Sequence, residues 1–593
     1  MRYHALAADY DGTLAHHGRI DDDTWSALRR LRESGRKLIM VTGRQLEELL
    51  GLLDHPELFD RIVAENGALV YEPATKEIRS SCEPPPPEFV DELRRRGVDR
   101  IAVGHAIVAT WEPHQDTVLH VIHDLGLELQ VIFNKGAVMV LPSGVNKATG
   151  LAQALFELGL SRHNVVGVGD AENDHALLTC CEAGVAVANA LPSLKAHADV
   201  VTTADHGAGV SELIEHLLAD DLAIAAPKLT RHHVLLGKDG DRALSIDPYA
   251  TNMMVCGTSG SGKSTLTTGV LERLSQRNYQ FAIIDPEGDY ANVELAVVLG
   301  SPTRAPLASE VLDVLKDPSR NVVVNLLGIA VEHRPEFFAE LLPVLAELRT
   351  RTGRPHWLVV DEAHHLLPAS WEPAAEMALR PHGTLYVTVH PTSVAPAIIK
   401  TLDTLVAVGE QPTDSVYELS QLAEVPCPRL AAIPNGGKLG TGQALYWNIA
   451  NTETTILQTE PPKMERKRHK RKYMEGNLGK TRSFYFRGPD AKLNLKAHNL
   501  QLFVHLADGV DDETWIYHLR NHDYSKWLRV EVKDDELADE VALIEQREGT
   551  RAEVREAIER RYTLPADKPS GLVDEEDEFV KPSASEPELA AAR

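Results

Sequence analysis

Two short segments of this 593-residue chain combine residue types that handle phosphate. The first reads DYDGT, residues 9–13, and follows a short apolar stretch that is typical of a buried strand. Two carboxylates on one turn can divide a phosphoryl transfer between them. One attacks phosphorus, and the other moves a proton to or from the leaving alcohol. We therefore predict that Asp9 is a nucleophile and that Asp11 is a general acid and base.

These two carboxylates need partners elsewhere in the chain, because together they repel a phosphate dianion. A Mg²⁺ ion would join carboxylates and phosphate, and it needs further oxygen ligands. The segment GDAEND, which holds Asp170 and Asp174, supplies them. The transferred phosphoryl group also needs a donor and a cation, which Thr42 in VTGR and Lys147 in GVNKATG could provide. The predicted metal residues are Asp9, Asp11, Asp170 and Asp174.

The second segment, GTSGSGKST, follows the strand-like TNMMVCG and opens a helical stretch. In such a loop the backbone N–H groups surround phosphates, while Lys263 bridges them and Ser264 holds Mg²⁺. The predicted nucleotide-binding residues are Gly257, Thr258, Ser259, Gly260, Ser261, Gly262, Lys263, Ser264, Thr265 and Asp361.

A later apolar strand, WLVV, ends in Asp361 and Glu362. Asp361 would lie in the water shell of the Mg²⁺ ion, and Glu362 would polarise an attacking water molecule. The pair predicts that ATP is hydrolysed and not merely bound.

The four N-terminal motifs occur along the chain in the order DYDGT, VTGR, GVNKATG and GDAEND. In this order they resemble the haloacid dehalogenase superfamily, in particular its type IIB or Cof-like phosphatases. The resemblance covers about 215 residues. It implies that Thr42 and Lys147 bind phosphate and that Asp9, Asp170 and the Asp11 carbonyl hold Mg²⁺, with Asp174 in support. It also implies a small phosphorylated substrate. The short cap is more similar to that of phosphoglycolate phosphatases and leaves the substrate open.

The central motifs VCGTSGSGKST, IIDPEGDY and LVVDEAHHLL resemble the HerA/FtsK superfamily of ring-forming ATPases. This resemblance implies a homo-oligomer, possibly a hexamer, with Asp285 and Glu287 near ATP. It also implies an arginine finger from a neighbouring subunit, for which Arg380 is the candidate. The chain departs from the family at His390, where the sensor strand usually ends in glutamine.

The order of these motifs predicts an α/β multidomain protein. Residues 1–82 and 143–221 form a phosphatase core with a Rossmann-like parallel sheet, and residues 83–142 form a small α+β cap. A P-loop (RecA-like) α/β ATPase domain follows at 229–450. After it come a basic linker at 451–479, a helical domain at 480–563 and a disordered acidic tail at 564–593.

Composition limits the partners of the chain. No apolar run is long enough to span a bilayer, and the N-terminus lacks a secretory pattern, so a cytoplasmic location is expected. The net charge of -26 disfavours a surface that broadly embraces nucleic acid. The basic run KMERKRHKRK at 463–472 is the one candidate for such contact, and a solvated linker is the plainer interpretation.

Three hypotheses for the whole chain stay open. In the first, a Mg²⁺-dependent phosphatase acts on a small metabolite and an ATPase assembles or regulates it. In the second, a hexameric ATPase moves along DNA with an associated nucleotide or end phosphatase, in defence against phage. In the third, the chain is an ATP-dependent scaffold whose N-terminal domain senses a ligand without turnover.

Overall fold

A computed structural model describes residues 1–562 except 135, 259, 292, 372–381, 434–436, 464–472, 475–477, 479–481, 533 and 548. The chain divides into two compact units, residues 1–462 and 463–593. Among the described helices, none combines the length and hydropathy that crossing a bilayer requires. The predicted α/β class is confirmed, with helices and strands alternating through the first unit.

The N-terminal domain is built on an eight-stranded sheet of order β12-β11-β10-β1-β2-β3-β4-β5. Its first six strands in this order are parallel, and β4 and β5 add an antiparallel edge. The strands are β1 (Ala5–Asp9), β2 (Lys37–Val41), β3 (Arg61–Ala64), β4 (Leu69–Glu72), β5 (Glu77–Ser80), β10 (Val165–Gly169), β11 (Ala183–Ala186) and β12 (Val200–Val201). The helices are α1 (Asp22–Glu33), α2 (Leu46–Leu52), α5 (Lys147–Leu158), α6 (His175–Cys180), α7 (Pro192–His197) and α8 (His206–Asp220). The central strands are apolar and buried along their length, as expected for a sheet covered by helices.

A smaller antiparallel sheet of order β6-β7-β9-β8 forms the cap between β5 and α5. Its elements are α3 (Pro87–Arg95), β6 (Ala102–Val103), β7 (Val108–Trp111), α4 (Gln115–Asp124), β8 (Leu129–Asn134) and β9 (Ala137–Pro142). Phe89, Val118 and Val140 are fully buried or nearly so in a core that belongs to this cap alone. The cap is therefore a separately packed module that stands on the phosphatase-like sheet.

The second domain carries an eleven-stranded sheet of order β14-β13-β23-β22-β21-β15-β20-β19-β16-β18-β17. Its strands are β13 (Val234–Asp239), β14 (Arg242–Ile246), β15 (Asn252–Cys256), β16 (Phe281–Asp285), β17 (Val297–Leu299), β18 (Val322–Asn325), β19 (Trp357–Val360), β20 (Thr384–Thr388), β21 (Thr404–Ala407), β22 (Gln443–Asn448) and β23 (Thr455–Thr459). Its helices are α9 (Lys263–Gln276), α10 (Ala308–Lys316), α11 (Arg334–Thr352), α12 (Pro396–Ile399) and α13 (Pro412–Leu422). The strand β23 pairs within this sheet. It ends at Thr459, nine residues beyond the domain boundary at 450 that the sequence predicted.

The two large sheets meet at the edges where their parallel strands begin. The Arg354 guanidinium, which is 1% exposed, donates to the Gly159 carbonyl ahead of β10 and to Gln280 ahead of β16. Residue 353 is a glycine because a Cβ there would lie 2.2 Å from Asn164 Nδ2. The carboxyl ends of both sets of strands, where ligands bind in such sheets, therefore point away from each other.

A buried ionic cluster crosses this boundary. Glu182, just before β11, accepts from Arg2 and, at 2.7 Å, from His163 Nδ1. His163 Nε2 also donates, to the Arg277 carbonyl of the second domain at 2.7 Å. Tyr279 stacks on that ring at 3.7 Å and donates to Glu182 at 3.3 Å.

Replacing Glu182 with glutamine should destabilise this boundary. Burial opposes the charge on Glu182, but the hydrogen bond from His163 and the electrostatic interactions with His163, His232 and Arg2 outweigh burial and hold the pKa of this carboxyl well below its usual range. Breaking such a pair costs about 3–5 kcal/mol, so we expect the melting temperature to fall by roughly 5–10 °C at pH 7. A depressed pKa stabilises the fold above the unfolded pKa of about 4.3, and this contribution is lost as pH falls further.

Calorimetry of wild type and Glu182→Gln at pH 7 and pH 3.5 checks this expectation. The difference between the two proteins should shrink at the lower pH. Glu215→Gln is a matched control, because Glu215 forms an exposed ion pair with Arg30 and such pairs contribute little. Equal melting temperatures for wild type and Glu182→Gln at pH 7 would contradict the prediction.

The second unit contains a short antiparallel pair followed by helices. Its elements are β24 (Phe484–Phe486), β25 (Leu495–Ala497), α14 (Leu500–Gly509), α15 (Asp512–Arg520), α16 (Asp523–Trp527), α17 (Asp535–Gln546) and α18 (Arg551–Tyr562). The sequence predicted a helical domain over 480–563, but residues 484–486 and 495–497 are strands and the first helix after them begins at Leu500. Asn499 explains the difference, because its side chain accepts from Leu502 N and caps the helix there. Of the predicted basic run at 463–472, residues 464–472 lie outside the described residues, as does the predicted acidic tail at 564–593.

Candidate active sites

The first candidate site lies at the carboxyl ends of β1 and β10, beneath the cap. Asp9 is the last residue of β1, Lys147 is the first of α5, and Asp170 directly follows β10. Lys147 Nζ donates to Asp9 Oδ1 at 2.5 Å and to Asp174 Oδ1 at 2.6 Å. The structure thus brings together four of the predicted residues, which lie far apart in the sequence.

The local sequence around Lys147 fixes the start of its helix. Asn146 caps α5 by accepting from Ala148 N and Thr149 N, while the Thr149 hydroxyl accepts from Asn146 N. Gly67, with φ of 108°, lies against this turn, and a Cβ there would come within 2.0 Å of the Asn146 carbonyl oxygen. A glycine is therefore required at Gly67 for the helix to approach closely enough to place Lys147 beside Asp9.

Three carboxylates surround Lys147 and set the electrostatics of the site. Ligand oxygens of Asp9, Asp170 and Asp174 all lie within 4.8 Å of one another, and all three residues are buried. Burial and the neighbouring Asp174 carboxylate raise the pKa of Asp9 to about 7, although Lys147 opposes them. Burial also disfavours the charge on Lys147, but the two carboxylates that it contacts outweigh burial and raise its pKa.

These residues fit a divalent cation. Buried carboxylate oxygens are the ligands that Mg²⁺ prefers, and a second positive charge would offset the excess of negative charge that raises the pKa of Asp9. Asp174 already has both oxygens engaged, one by Lys147 and the other by Asp170 N and Ala171 N at 2.9 Å each. Asp9 and Asp170 are therefore better placed as direct ligands, with Asp174 orienting the loop.

Asp11 is held by a residue that sequence reasoning did not single out. Arg44 donates two parallel hydrogen bonds to the Asp11 carboxylate, from Nε to Oδ2 at 2.6 Å and from NH2 to Oδ1 at 2.7 Å. These bonds raise the pKa of Arg44. Arg44 belongs to the VTGR segment, and its N–H donates to the Thr42 hydroxyl, which is fully buried. The predicted proton carrier and the predicted phosphate donor are thus linked through one arginine.

Arg44→Lys should slow turnover more than it weakens substrate binding. An ammonium cannot reproduce two parallel bonds to a carboxylate, so Asp11 would lose its fixed orientation, and small misplacements cost up to about 10²-fold in rate. We expect kcat to fall about 10- to 100-fold with a smaller change in KM. Steady-state kinetics on a phosphomonoester check this, with Arg29→Lys on the exposed face of α1 as control. An unchanged kcat would show that Arg44 does not position Asp11.

The cap is hydrogen-bonded to the core domain beside this site. The fully buried Glu65 accepts from three successive cap amides, those of His105, Ala106 and Ile107, at 2.9, 2.7 and 3.1 Å. In addition, Met139 of β9 approaches the backbone of Gly43, next to Thr42. The cap therefore reaches the first candidate site, and the Glu65 carboxylate holds its loop at 105–107.

The second candidate site lies at the carboxyl end of β15. Its loop has glycines where side chains would not fit: Gly257 has φ of 152°, and a Cβ there would lie 2.3 Å from the Val408 carbonyl oxygen. Lys263, which is 6% exposed, donates to the Gly257 carbonyl at 2.9 Å. Gly262 precedes α9, so Lys263, Ser264 and Thr265 form the first turn of this helix. Ser259 lies outside the described residues.

Acidic residues face this loop from neighbouring strands. Burial and the neighbouring carboxylates, Glu362 first, raise the pKa of Asp361 well above its usual range. Burial raises the pKa of Asp285 to about 6, while Asp285 accepts from Asp289 N and Tyr290 N. A loop of backbone donors with a lysine, opposed by buried carboxylates, fits ATP with a Mg²⁺ ion.

Glu362 has a backbone conformation uncommon for a residue with a side chain, with φ of 40° and ψ of 53°. Its pKa is raised by burial and by Glu287 and Asp289, with Lys263 acting against them. His364 Nδ1 lies 3.5 Å from Glu362 Oε2 and 3.3 Å from the hydroxyl of Thr388, the last residue of β20. The sequence resemblance placed the end of this strand at His390, but β20 ends at Thr388 and His390 is exposed. Arg380 lies outside the described residues.

Comparisons with known proteins match both domains. Residues 6–95 and 107–214 match the family model of haloacid dehalogenase-like hydrolases, and residues 246–382 match that of an AAA domain. A phosphoglycolate phosphatase of Methanothermobacter thermautotrophicus is 30% identical over 223 residues, which are 36% of this chain and 98% of that protein. A phosphoglycolate phosphatase of Haloarcula marismortui is 31% identical over 220 residues, 35% of this chain and 95% of that protein.

A solved haloacid dehalogenase-like hydrolase from Bacteroides thetaiotaomicron matches 36% of this chain and 99% of its own, with 22% identity and a TM-score of 0.32. Through its N-terminal domain, the chain belongs to the haloacid dehalogenase-like hydrolase family. It joins a phosphatase domain of this type to an AAA-type P-loop domain.

Proposed function

We propose that the N-terminal domain hydrolyses phosphomonoesters of small organic acids through a phosphoaspartate at Asp9. The observation that carries this proposal is the contact of Lys147 with both Asp9 and Asp174, beside Asp170. This arrangement leaves one carboxylate oxygen of Asp9 for attack and supplies a fixed cation for the phosphoryl oxygens.

The reaction has two halves. In the first, an Asp9 oxygen forms a bond to phosphorus while the bond to the ester oxygen breaks, and Asp11 gives its proton to the departing alkoxide. In the second, Asp11 takes a proton from water as that water attacks phosphorus, which releases phosphate and restores Asp9. A Mg²⁺ ion held by Asp9 and Asp170 would neutralise charge on the phosphoryl oxygens. Lys147 and Thr42 would bind those oxygens.

Phosphoglycolate is the first substrate to test. The two relatives described above are named as phosphoglycolate phosphatases, and the cap that closes over Gly43 is compact.

For the second domain, we propose Mg²⁺-dependent ATP hydrolysis with Glu362 polarising the attacking water and Asp361 near the metal ion. The resemblance to HerA/FtsK ATPases supports assembly into a ring in which a neighbouring subunit supplies an arginine. Because the two sites face away from each other, ATP turnover would act on the phosphatase through the shared boundary around Glu182 and not by passing a product between sites.

The test is phosphate release from 2-phosphoglycolate, sugar phosphates and nucleoside monophosphates, with Mg²⁺ or with a chelator, and with or without ATP. We expect Mg²⁺-dependent release from one small phosphorylated acid. ATP turnover that rises with duplex DNA, without release from any small ester, would favour the DNA-translocase hypothesis. Ester hydrolysis that survives chelation would count against the proposed metal site.

A further inference from the structure

Residues 65–67, between β3 and β4, have a backbone conformation that residues with side chains seldom adopt. Glu65, Asn66 and Gly67 have φ of 50°, 56° and 108°, and all three are buried. Residues other than glycine cost free energy in this left-handed region and persist there where the surrounding structure holds them. The segment therefore needs contacts with its neighbours to keep this conformation.

Two backbone hydrogen bonds join the segment to the VTGR motif. Glu65 N donates to the Arg44 carbonyl, and Asn66 N donates to the Thr42 carbonyl, each at 2.9 Å. Arg44 holds the Asp11 carboxylate, and Thr42 is the predicted phosphate donor. A shift of the segment would therefore move the backbone of both residues.

The segment also contacts two further motifs of the candidate site. The Asn66 side chain accepts from Asn173 Nδ2, in the acidic loop after β10, at 3.1 Å. Gly67 lies against the Asn146 carbonyl, in the turn that places Lys147. One segment of three residues thus contacts three of the four N-terminal motifs.

The cap holds this segment through the Glu65 side chain. Glu65 Oε1 accepts from His105 N, and Oε2 accepts from Ala106 N and Ile107 N. The cap loop approaches so closely that a Cβ at Gly104 would lie 2.6 Å from Glu65 Oε1. Because the carboxylate is buried away from water, these amides offset its loss of hydration.

We propose that Glu65 is a positioning residue for the reaction at Asp9. Its bonds to the cap loop stabilise the strained segment 65–67, and the segment holds Arg44, whose guanidinium orients Asp11. Docking of the cap loop is thereby coupled to the alignment of catalytic residues in the core domain. This inference rests on the function proposed above for the N-terminal domain, and it assigns a role to a residue that does not contact the reacting atoms.

Two substitutions disturb this contact, one from each side. Glu65→Gln keeps the shape of the side chain but replaces one acceptor oxygen with an amide donor. Gly104→Ala places a methyl group against the Glu65 carboxylate from the cap side and leaves every core residue unchanged. Gly51→Ala is the matched control, because Gly51 lies in α2 with no atom within 4 Å of an added Cβ. Glu47→Gln is a second control, since Glu47 forms an exposed pair with the side chain of His105.

Hydrogen exchange of the full chain tests the coupling without a substrate. We expect the amide hydrogens of Glu65 and Asn66 to exchange about tenfold or more faster in Gly104→Ala than in wild type, because the bonds that stabilise the segment are weakened. The amides of the central strand β1 report global unfolding and should not change. Exchange in Gly51→Ala and Glu47→Gln should stay within about twofold of wild type. Unchanged exchange at residues 65 and 66 in Gly104→Ala would overturn the proposal, whether or not the domain hydrolyses an ester.

Steady-state kinetics on the ester that wild type hydrolyses fastest test the catalytic part. We expect kcat to fall about tenfold in Glu65→Gln and in Gly104→Ala, with KM within about threefold of wild type. The double variant Glu65→Gln with Arg44→Lys should be within about threefold of Arg44→Lys alone, because both substitutions release Asp11.

Additive losses of kcat in the double variant, or a loss confined to KM, would show that Glu65 does not act through Arg44 and would overturn the proposal. The absence of ester hydrolysis in wild type would instead refute the function proposed above. In that case the exchange of residues 65 and 66 still decides whether the cap loop holds the segment.

Discussion

Asp9→Asn should abolish hydrolysis of phosphomonoesters and leave ATP turnover intact. An amide has nearly the shape of the carboxylate but is a far poorer nucleophile, and loss of a nucleophile costs about 10⁴-fold or more in rate. Asp9 also contributes one of the three carboxylates around Lys147, so the substitution would weaken metal binding in the same step. The fold should persist, because Lys147 keeps its contact with Asp174.

Two assays on the same preparation measure this effect. Phosphate release from 2-phosphoglycolate reports the first site, and ADP formation reports the second. Asp23→Asn, on the exposed first turn of α1, is the matched control and should behave as wild type in both assays. Ester hydrolysis by Asp9→Asn at a tenth of the wild-type rate or more would exclude Asp9 as the nucleophile.

Glu362→Gln should have the opposite pattern. The substitution keeps the size and conformation of the side chain but removes the charge that would polarise water, and general-base effects are worth about 10²- to 10⁴-fold. We therefore expect ATP hydrolysis to fall by at least about 10²-fold while ATP binding persists, because Lys263 and the glycine loop are untouched. Ester hydrolysis should remain within about twofold of wild type, since no described contact joins Glu362 to the phosphatase domain.

Nucleotide binding and turnover should be measured separately for this variant, with Glu332→Gln as an exposed control. Loss of both ATP hydrolysis and ester hydrolysis in Glu362→Gln, with an unchanged melting temperature, would show that the two reactions are obligately coupled. In that case the phosphatase would need ATP turnover and not only a docked ATPase domain.

The sequence was most informative where chemistry is tied to the ends of strands. Asp9, Lys147, Asp170 and Asp174 could be assigned to one site because each follows or precedes a short buried element, and parallel strands bring their carboxyl ends to one edge. The glycine loop before Lys263 was equally clear, and its Gly257, Gly260 and Gly262 all have positive φ. Their catalytic roles remain predictions that the variants above test.

Other features depend on packing between distant segments, which periodicity does not reveal. Three sets of hydrogen bonds join residues from separate elements: those of Arg44 to Asp11, those of the cap amides to Glu65, and those around Glu182. The end of β20 also could not be read from the sequence. The resemblance to HerA/FtsK ATPases placed it at His390, whereas the strand ends two residues earlier at the buried Thr388.

The back-to-back arrangement limits how the two domains can influence each other. Each site lies at the end of a five-residue strand, β1 or β15, that leads away from the boundary. At about 3.3 Å per residue, the two sites are separated by about 30 Å or more. Direct coupling would therefore pass through the contacts at the boundary, among them those of Arg354, Glu182 and Arg277.

The most direct test of this account is phosphate release from a panel of phosphomonoesters with Mg²⁺, compared among wild type, Asp9→Asn and Glu362→Gln. The account predicts that one small phosphorylated acid is hydrolysed by wild type and by Glu362→Gln, and that Asp9→Asn alone loses this activity. Hydrolysis that persists in Asp9→Asn, or that no ester in the panel supports in wild type, would contradict a phosphoaspartate enzyme at the N-terminal site.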